Sequence, residues 1–492
     1  MGKLLNLILA ALIVAGAQAA QAQTQPQPTF DVRAQQAALV PASRGDLSRA
    51  GEWNRYTIDA AIDPARRTLS GHMRVEYTNR TTAALDRVYF YLYPNLSEFR
   101  GRLTVSAVTV DGAPARFAME GGRFLLRVSL PETLAPKESV TIELDWSATA
   151  PANASRGAYG AFNMEGGVLA LASAYPLLGI IRDGRWETAR PSARGDFVNS
   201  ETALYDVTLT APADWTLVTS GVVVDGRLDG GKQTARIVSG PLREFTIALV
   251  QLKAASVEVD GTRINSYFRP EHEQSGHLAL RAAADALRAF NRRFGRYPLA
   301  ELDVLEIEAR TFLGVEYPGL VMIDRRLYDR GGSGLEITVA HEVAHQWWYS
   351  LVGNDVQAEP WLDEGLTSFS QIIYQEEVHG PRAAERELAG FRQSYLAARR
   401  AGADGAVGRP ATAFRGNYVA LVYAKGALFF QALREQIGEE AFDRFLRGYY
   451  DTHRYGRVTS AELVGAAEYS CSCELDDFYR DWIATAAPVK VP

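Results

Sequence analysis

Two hydrophobic periods divide the chain. From residue 53 to about 255, apolar positions recur at every second residue, the spacing of strands with one buried face. The runs "RVYFYLYP" (87–94), "SVTIELDWS" (139–147) and "YDVTLTAP" (205–212) are rich in aromatic and β-branched residues. Asp111-Gly112, Gly121-Gly122 and Asp229-Gly230-Gly231 stand between runs of this kind as turn signals. No long helical pattern occurs there, which predicts an all-β domain of sandwich or saddle type over 51–255.

Near residue 270 the period lengthens. "GHLALRAAADALRAFNRRFG" (276–295) sets Leu280, Ala284, Leu287 and Phe290 on one helical face. A strand-like run follows at 301–309. Helical patterns are then expected over about 335–349, 362–378, 383–400, 418–436 and 474–485. The expectation is a multidomain α+β chain, with an α+β domain over 256–492 and no internal repeats or heptads. Residues 23–50 are rich in Gln, Pro and Ala without a period and read as a flexible leader.

Composition adds little except at the N-terminus. The 492 residues are 47% hydrophobic and 22% charged, with a net charge of −6. No basic excess exists to neutralise phosphates, so nucleic acid is not the expected partner. Residues 1–22 carry Lys3, the apolar run Leu4–Val14 and small residues in A-x-A patterns. That is the pattern of a secretory signal, and it predicts a periplasmic or secreted protein with no membrane association after cleavage. The two cysteines, Cys471 and Cys473, stand one residue apart and are expected as a disulfide or as two inert thiols.

The chemistry centres on "TVAHEVAHQWWYS" (338–350). Ser333 and Glu336 have capping-box spacing, which predicts a helix starting near Gly334. His341 and His345 then share one helical face and can address one ion. Glu342 is offset by one position and can reach a water on that ion. This H-E-x-x-H spacing supplies two zinc ligands and a general base. A catalytic zinc takes a third protein ligand. Glu364, 19 residues after His345 in "EPWLDEGLTSFS" (359–370), is the candidate if the turn over 351–360 returns a second helix against the first.

H-E-x-x-H, 18 intervening residues and a glutamate within "WLDEGLTSF" resemble the aminopeptidase N family of gluzincin zinc metallopeptidases. "FLGVEYPGLVM" (312–322) is similar to that family's G-x-M-E-N exopeptidase motif, with its glutamate at Glu316. "YAKGAL" (423–428) is similar to its Y-x-K-G segment, with the catalytic tyrosine at Tyr423. The likeness is strong over roughly 255–436 and looser before it. It implies a β-saddle N-terminal domain followed by a thermolysin-like catalytic domain, with one zinc per chain on His341, His345 and Glu364. The implied activity is hydrolysis of peptides that bear a free N-terminus. Glu342 acts as the base, Tyr423 donates its hydroxyl to the tetrahedral oxyanion, and Glu316 binds the substrate ammonium.

The chain departs from the family pattern in several places. Leu313, Val315 and Tyr317 replace the Gly, Met and Asn of G-x-M-E-N, Asp363 replaces a common Asn, and Gln371 stands where an acidic partner of a ligand is frequent. The chain ends about 70 residues past Tyr423, so the large helical domain that follows in many members is not expected. Only a few short closing helices are expected over 436–485. An endopeptidase or oligopeptidase on the same catalytic domain, a binding protein without turnover, and a hydrolase of a non-peptide lipid are the alternatives.

Overall fold

A computed structural model describes residues 30–153, 159–487 and 489–492. The secretory-signal expectation, residues 1–22, lies outside the described residues. Strands dominate up to residue 250. The largest sheet has eight strands in the order Val222–Asp229, Lys232–Val238, Ala203–Pro212, Asn54–Asp63, Thr68–Thr78, Ser139–Thr149, Arg102–Val110 and Ala113–Pro114. All its neighbours pair antiparallel except Asn54–Asp63 with Ala203–Pro212, which are parallel. Burial alternates along these strands, as in Ser139–Thr149, where Val140, Ile142, Leu144 and Trp146 face inward. Two four-stranded sheets and the two-stranded pair Ile181–Arg182 and Arg185–Trp186 complete the β-rich part.

A second, mixed sheet of five strands follows, in the order Lys253–Val259, Thr262–Phe268, Glu301–Ile307, Leu320–Asp324 and Gly314–Val315. Because Lys253–Val259 pairs with Thr262–Phe268, this sheet begins at Lys253, slightly before the expected boundary at 256. Thr262–Phe268 and Glu301–Ile307 run parallel, and helix Glu273–Arg293 makes the crossover between them. That helix buries the expected face of Leu280, Ala284, Leu287 and Phe290. The short strand Gly314–Val315 forms one edge of the sheet.

The helices that follow are Gly332–Ala344, Trp361–His379 and Pro381–Arg400. A π-wound turn, Val419–Lys425, then leads into Gly426–Ile437. Two further helices, Glu439–His453 and Ser460–Cys471, are longer than the short closing segments expected from the sequence. Thr459 and Glu462 form a capping box at the second of them. Cys471 and Cys473 are joined by a disulfide just beyond it. Among the described residues no helix is long and apolar enough to cross a membrane.

Two local expectations are corrected. The Ser333–Glu336 capping box does not form, and the helix starts at Gly332 behind Gly331 without a side-chain cap. Gly331 and Gly332 take positive φ angles of 60° and 72°. Glu336 instead accepts the Tyr374 hydroxyl at 2.7 Å and His379 Nε2–H at 2.6 Å from the neighbouring helix. This helix also ends at Ala344 rather than 349, and the chain turns sharply after His345. The leader expectation is also overturned for residues 34–52, which form 3₁₀ turns docked on the second domain. Val40 N–H donates to Pro298 at 2.9 Å, Ala300 N–H donates to Ala38 at 2.9 Å, and Leu39 is only 1% exposed. Local composition could not report this, because the partners lie some 260 positions away in sequence.

Leu39→Ala should therefore destabilise the chain by about 2–5 kcal/mol, the usual range for truncating a buried leucine. A lowered urea midpoint for the second domain is the expected readout; an unchanged midpoint would mean that the leader is not part of the packed structure.

Candidate metal centre and active-site cavity

His341 and His345 lie at the end of helix Gly332–Ala344, and their rings meet edge-on at 4.8 Å. The turn over 351–360 reverses the chain, and helix Trp361–His379 places Glu364 in its first turn. Glu364 Oε2 comes to 3.3 Å from His341 Nε2 and 3.4 Å from His345 Nε2. This oxygen is buried and makes no hydrogen bond. The three ligand atoms lie within 4.8 Å of one another. Two imidazole nitrogens and a carboxylate oxygen that converge without hydrogen-bond geometry fit a divalent ion of zinc type.

The supporting contacts orient the rings. His345 Nδ1 lies 3.0 Å from the Trp348 carbonyl, which can only accept, so Nδ1 carries the hydrogen and Nε2 is left as the ligand atom. Thr367 Oγ1 lies 3.1 Å from the same nitrogen. Gln371 lies near enough to His341 to raise it slightly, so a neutral group does occupy the position beside this ligand. Burial pushes His341 down. His345 is held well up despite burial, chiefly by the Glu316 and Glu364 carboxylates. Burial would raise Glu364, but the adjacent imidazoles hold it down at about 2.

A cavity of about 320 Å³ opens over this cluster. Its lining brings together all six residues singled out in the sequence: His341, Glu342, His345, Glu364, Glu316 and Tyr423. Glu342 is buried, and its carboxyl is pushed up to about 8 by burial and then by the Glu364 charge, with His345 opposing. A Cβ on Gly314 would overlap the Glu342 carboxylate, so the edge strand Gly314–Val315 can approach the base only because glycine is there. Glu316 is buried just beyond that strand, and burial and Asp196 raise it. Tyr423 stacks beside His341 at 6.0 Å, and its hydroxyl donates to Glu364 Oε1.

The departures from the family pattern take defined places. Leu313 points outward and is 50% exposed, whereas Val315 lines the cavity. Tyr317 is buried, and its hydroxyl meets the Tyr159 hydroxyl of the β-rich domain at 2.6 Å. Asp363 is buried and accepts from Asn354 Nδ2 at 3.2 Å and from Glu364 N–H at 3.0 Å.

Sequence reasoning missed the cavity residues supplied by the β-rich domain. Asp196 sits on an irregular segment and is raised to about 7 by burial and the Glu364 charge. Gln357 holds that segment, since its Nε2 donates to the Asp196 carbonyl at 2.6 Å. Phe197 and Tyr159 meet edge-on at 5.2 Å in the same wall. No motif surrounds Asp196, so no sequence signal could have found it. Glu98, Asp196, Glu316, Glu342 and Glu364 give the lining five carboxyl groups, and among the described residues no lysine or arginine lines it. The cavity therefore favours cations.

The model for the peptidase family M1 domain matches residues 278–482. Over that segment the chain is similar to this family. It is 24% identical over 306 residues to Aminopeptidase M1-A of Oryza sativa subsp. japonica, covering 57% of this chain and 34% of that protein. It is 25% identical over 334 residues to Aminopeptidase N of Streptomyces lividans, covering 60% and 37%. The chain thus spans about a third of the length of these curated relatives. The fold matches a crystal structure of an M1 zinc metallopeptidase from Deinococcus radiodurans with a TM-score of 0.68 at 21% identity, covering 89% of this chain and 95% of that one. A mutant of that protein has been solved bound to a Tyr-Ser-Ala substrate.

Within the matched segment, two glycines set the spacing between Glu364 and Tyr423. Gly365 follows Glu364, and Gly426 ends the Y-x-K-G segment; a Cβ added at Gly426 would lie 2.8 Å from the Gly365 Cα. The helices touch backbone to backbone there, which holds Glu364 against Tyr423. Lys425 is buried and donates to Asp404 Oδ1 at 3.2 Å and to the Gly405 carbonyl at 3.1 Å, anchoring the π-wound turn. Gly426→Ala should overpack this contact and cost about 1–3 kcal/mol. Thermal unfolding of the metal-free variant should show a lowered midpoint, and an unaltered midpoint would contradict the close helix approach.

Proposed function

We propose that the chain is a zinc-dependent aminopeptidase that removes N-terminal residues from peptides. His341, His345 and Glu364 hold one zinc ion per chain, Glu342 is the general base, Tyr423 is the oxyanion donor and Glu316 binds the substrate amine. The observation that carries this reading is the cavity itself. Three convergent ligands share it with Glu342, Glu316 and Asp196, and among the described residues no lysine or arginine lines it. An excess of buried carboxylates beyond the ligand set suits a second cation, the α-ammonium of a peptide. The pattern of residues 1–22 supports action in the periplasm or after secretion.

The residues divide the work as follows. When bound, zinc polarises the scissile carbonyl and acidifies the attacking water. Glu342 is poised for proton transfer because burial lifts its carboxyl to about 8, close to neutral pH, where one group can take a proton from water and return it to the leaving amine. The Tyr423 phenol is kept protonated by burial and the nearby Glu364 charge, so it can donate to the tetrahedral oxygen. Glu316 and Asp196 lie beyond the edge strand and fix the ammonium one residue from the scissile bond. This sets the register for removal of a single residue and separates the reading from an endopeptidase.

Glu342→Gln should lower kcat on aminoacyl fluorogenic substrates by about 10²–10⁴-fold while zinc content stays at one per chain; near-normal turnover would reject its role as base. Glu316→Ala should remove the preference for free-amine over N-acetylated peptides. If wild-type and variant discriminate equally between them, the exopeptidase reading is wrong and the endopeptidase alternative replaces it. A chelator should abolish wild-type turnover in the same assay.

A further inference from the structure

The turn after the second histidine holds a tyrosine in a backbone conformation that glycine usually takes. Tyr349 has φ 145°, whereas the other non-glycine residues of positive φ among the described residues lie between 48° and 75°. L side chains rarely adopt this region, and such strain persists only where the surroundings over-determine it. Tyr349 is 5% exposed. It follows Trp348, whose carbonyl receives the His345 Nδ1 hydrogen at 3.0 Å. The orientation of the Trp348–Tyr349 peptide therefore decides whether His345 keeps its partner.

Within the turn, Tyr349 N–H donates to the Val352 carbonyl at 3.0 Å; the side-chain contacts that hold this conformation come from the β-rich domain. Arg243 Nε donates to the Tyr349 carbonyl at 2.7 Å. The same guanidinium donates to the Ser200 carbonyl at 2.9 Å and to the Gly456 carbonyl. A Cβ at Gly353 would overlap that guanidinium. The next residue, Glu244, accepts the Tyr349 hydroxyl at 2.8 Å and the Ser173 hydroxyl at 3.2 Å. Two consecutive residues of the β-rich domain thus grip Tyr349 at its carbonyl and at its phenol. Arg243, Glu244 and Tyr349 are all buried.

We propose that Tyr349 is a positioning residue for the metal ligand His345, clamped by Arg243 and Glu244 so that the β-rich domain sets the Trp348 carbonyl that orients the imidazole. This rests on the reading of His341, His345 and Glu364 as a zinc site. It assigns the first domain a part in metal binding through one peptide group, without contact to the ion.

The test measures the Zn(II) dissociation constant by chelator competition, with the Co(II) absorption spectrum as a report on coordination, for the wild-type chain and for Tyr349→Phe, Tyr349→Ala and Tyr349→Gly. Outer contacts of this kind are typically worth about 10–100-fold in metal affinity. Tyr349→Phe, which removes only the hydroxyl grip, should weaken binding about tenfold and shift the Co(II) bands. Tyr349→Ala should weaken it further. Tyr349→Gly, which occupies the same φ without strain and keeps the carbonyl on Arg243, should bind more tightly than Tyr349→Ala. A purely structural role would lower the thermal midpoints without this order of affinities. Wild-type affinity in Tyr349→Phe, or equal affinity in the alanine and glycine variants, overturns the positioning role. A wild-type chain that binds no Zn(II) overturns the metal-site reading beneath it, and that result is distinct because it needs no variant.

Discussion

Glu364 Oε2 sits buried between two imidazole nitrogens at 3.3 and 3.4 Å and bonds to neither. Holding lone pairs so close in a water-poor cavity is unfavourable without a cation between them. The surrounding structure is arranged to hold them there. The Trp348 carbonyl and Thr367 fix His345, and Gln371 meets His341. The Gly365–Gly426 contact and the buried Lys425 keep the Glu364 helix against the segment that bears Tyr423. Each support acts on the angle or position of one donor atom, the feature that metal affinity depends on most steeply.

The electrostatics of the cavity follow from the same constraint. Glu316, Glu342 and Asp196 are all lifted above the ordinary carboxyl range by burial and by the charge of nearby carboxylates, Glu364 among them. Such a cluster is costly in a resting fold and suits a site that meets a metal ion and an ammonium group. Function and stability therefore pull in opposite directions, as is common where strained or like-charged groups gather. The packed sheets and helices around the cavity carry that cost.

The β-rich domain is part of the active-site architecture. It contributes Asp196, Phe197 and Tyr159 to the cavity wall, joins Tyr159 to Tyr317, and grips Tyr349 through Arg243 and Glu244. The leader joins this assembly too, since residues 38–40 pair with 298–300 of the second domain. The turn that follows His345 thus takes its final geometry from Arg243, 106 positions earlier in the chain.

The sequence alone determined whatever depends on local spacing. His341 and His345 stand one helical turn apart, so their common face, and the offset of Glu342 from it, follow from 3.6 residues per turn. Strand alternation before residue 250 and the amphipathic stripe of 273–293 follow from the same kind of periodicity. Glu364, Glu316 and Tyr423 were legible through motifs, because each sits in a segment whose residues all serve one contact: Gly365, Gly314, Lys425 and Gly426 each have a steric or ionic task. The tertiary structure alone decided whatever depends on one segment meeting a distant one. It moved Glu336 from a capping box to Tyr374 and His379, docked Leu39, brought Asp196 to the cavity, and placed a tyrosine where glycine would be expected. Periodicity records which face of an element is buried, but carries no information about which remote backbone carbonyl or carboxylate will meet that face once the chain has closed.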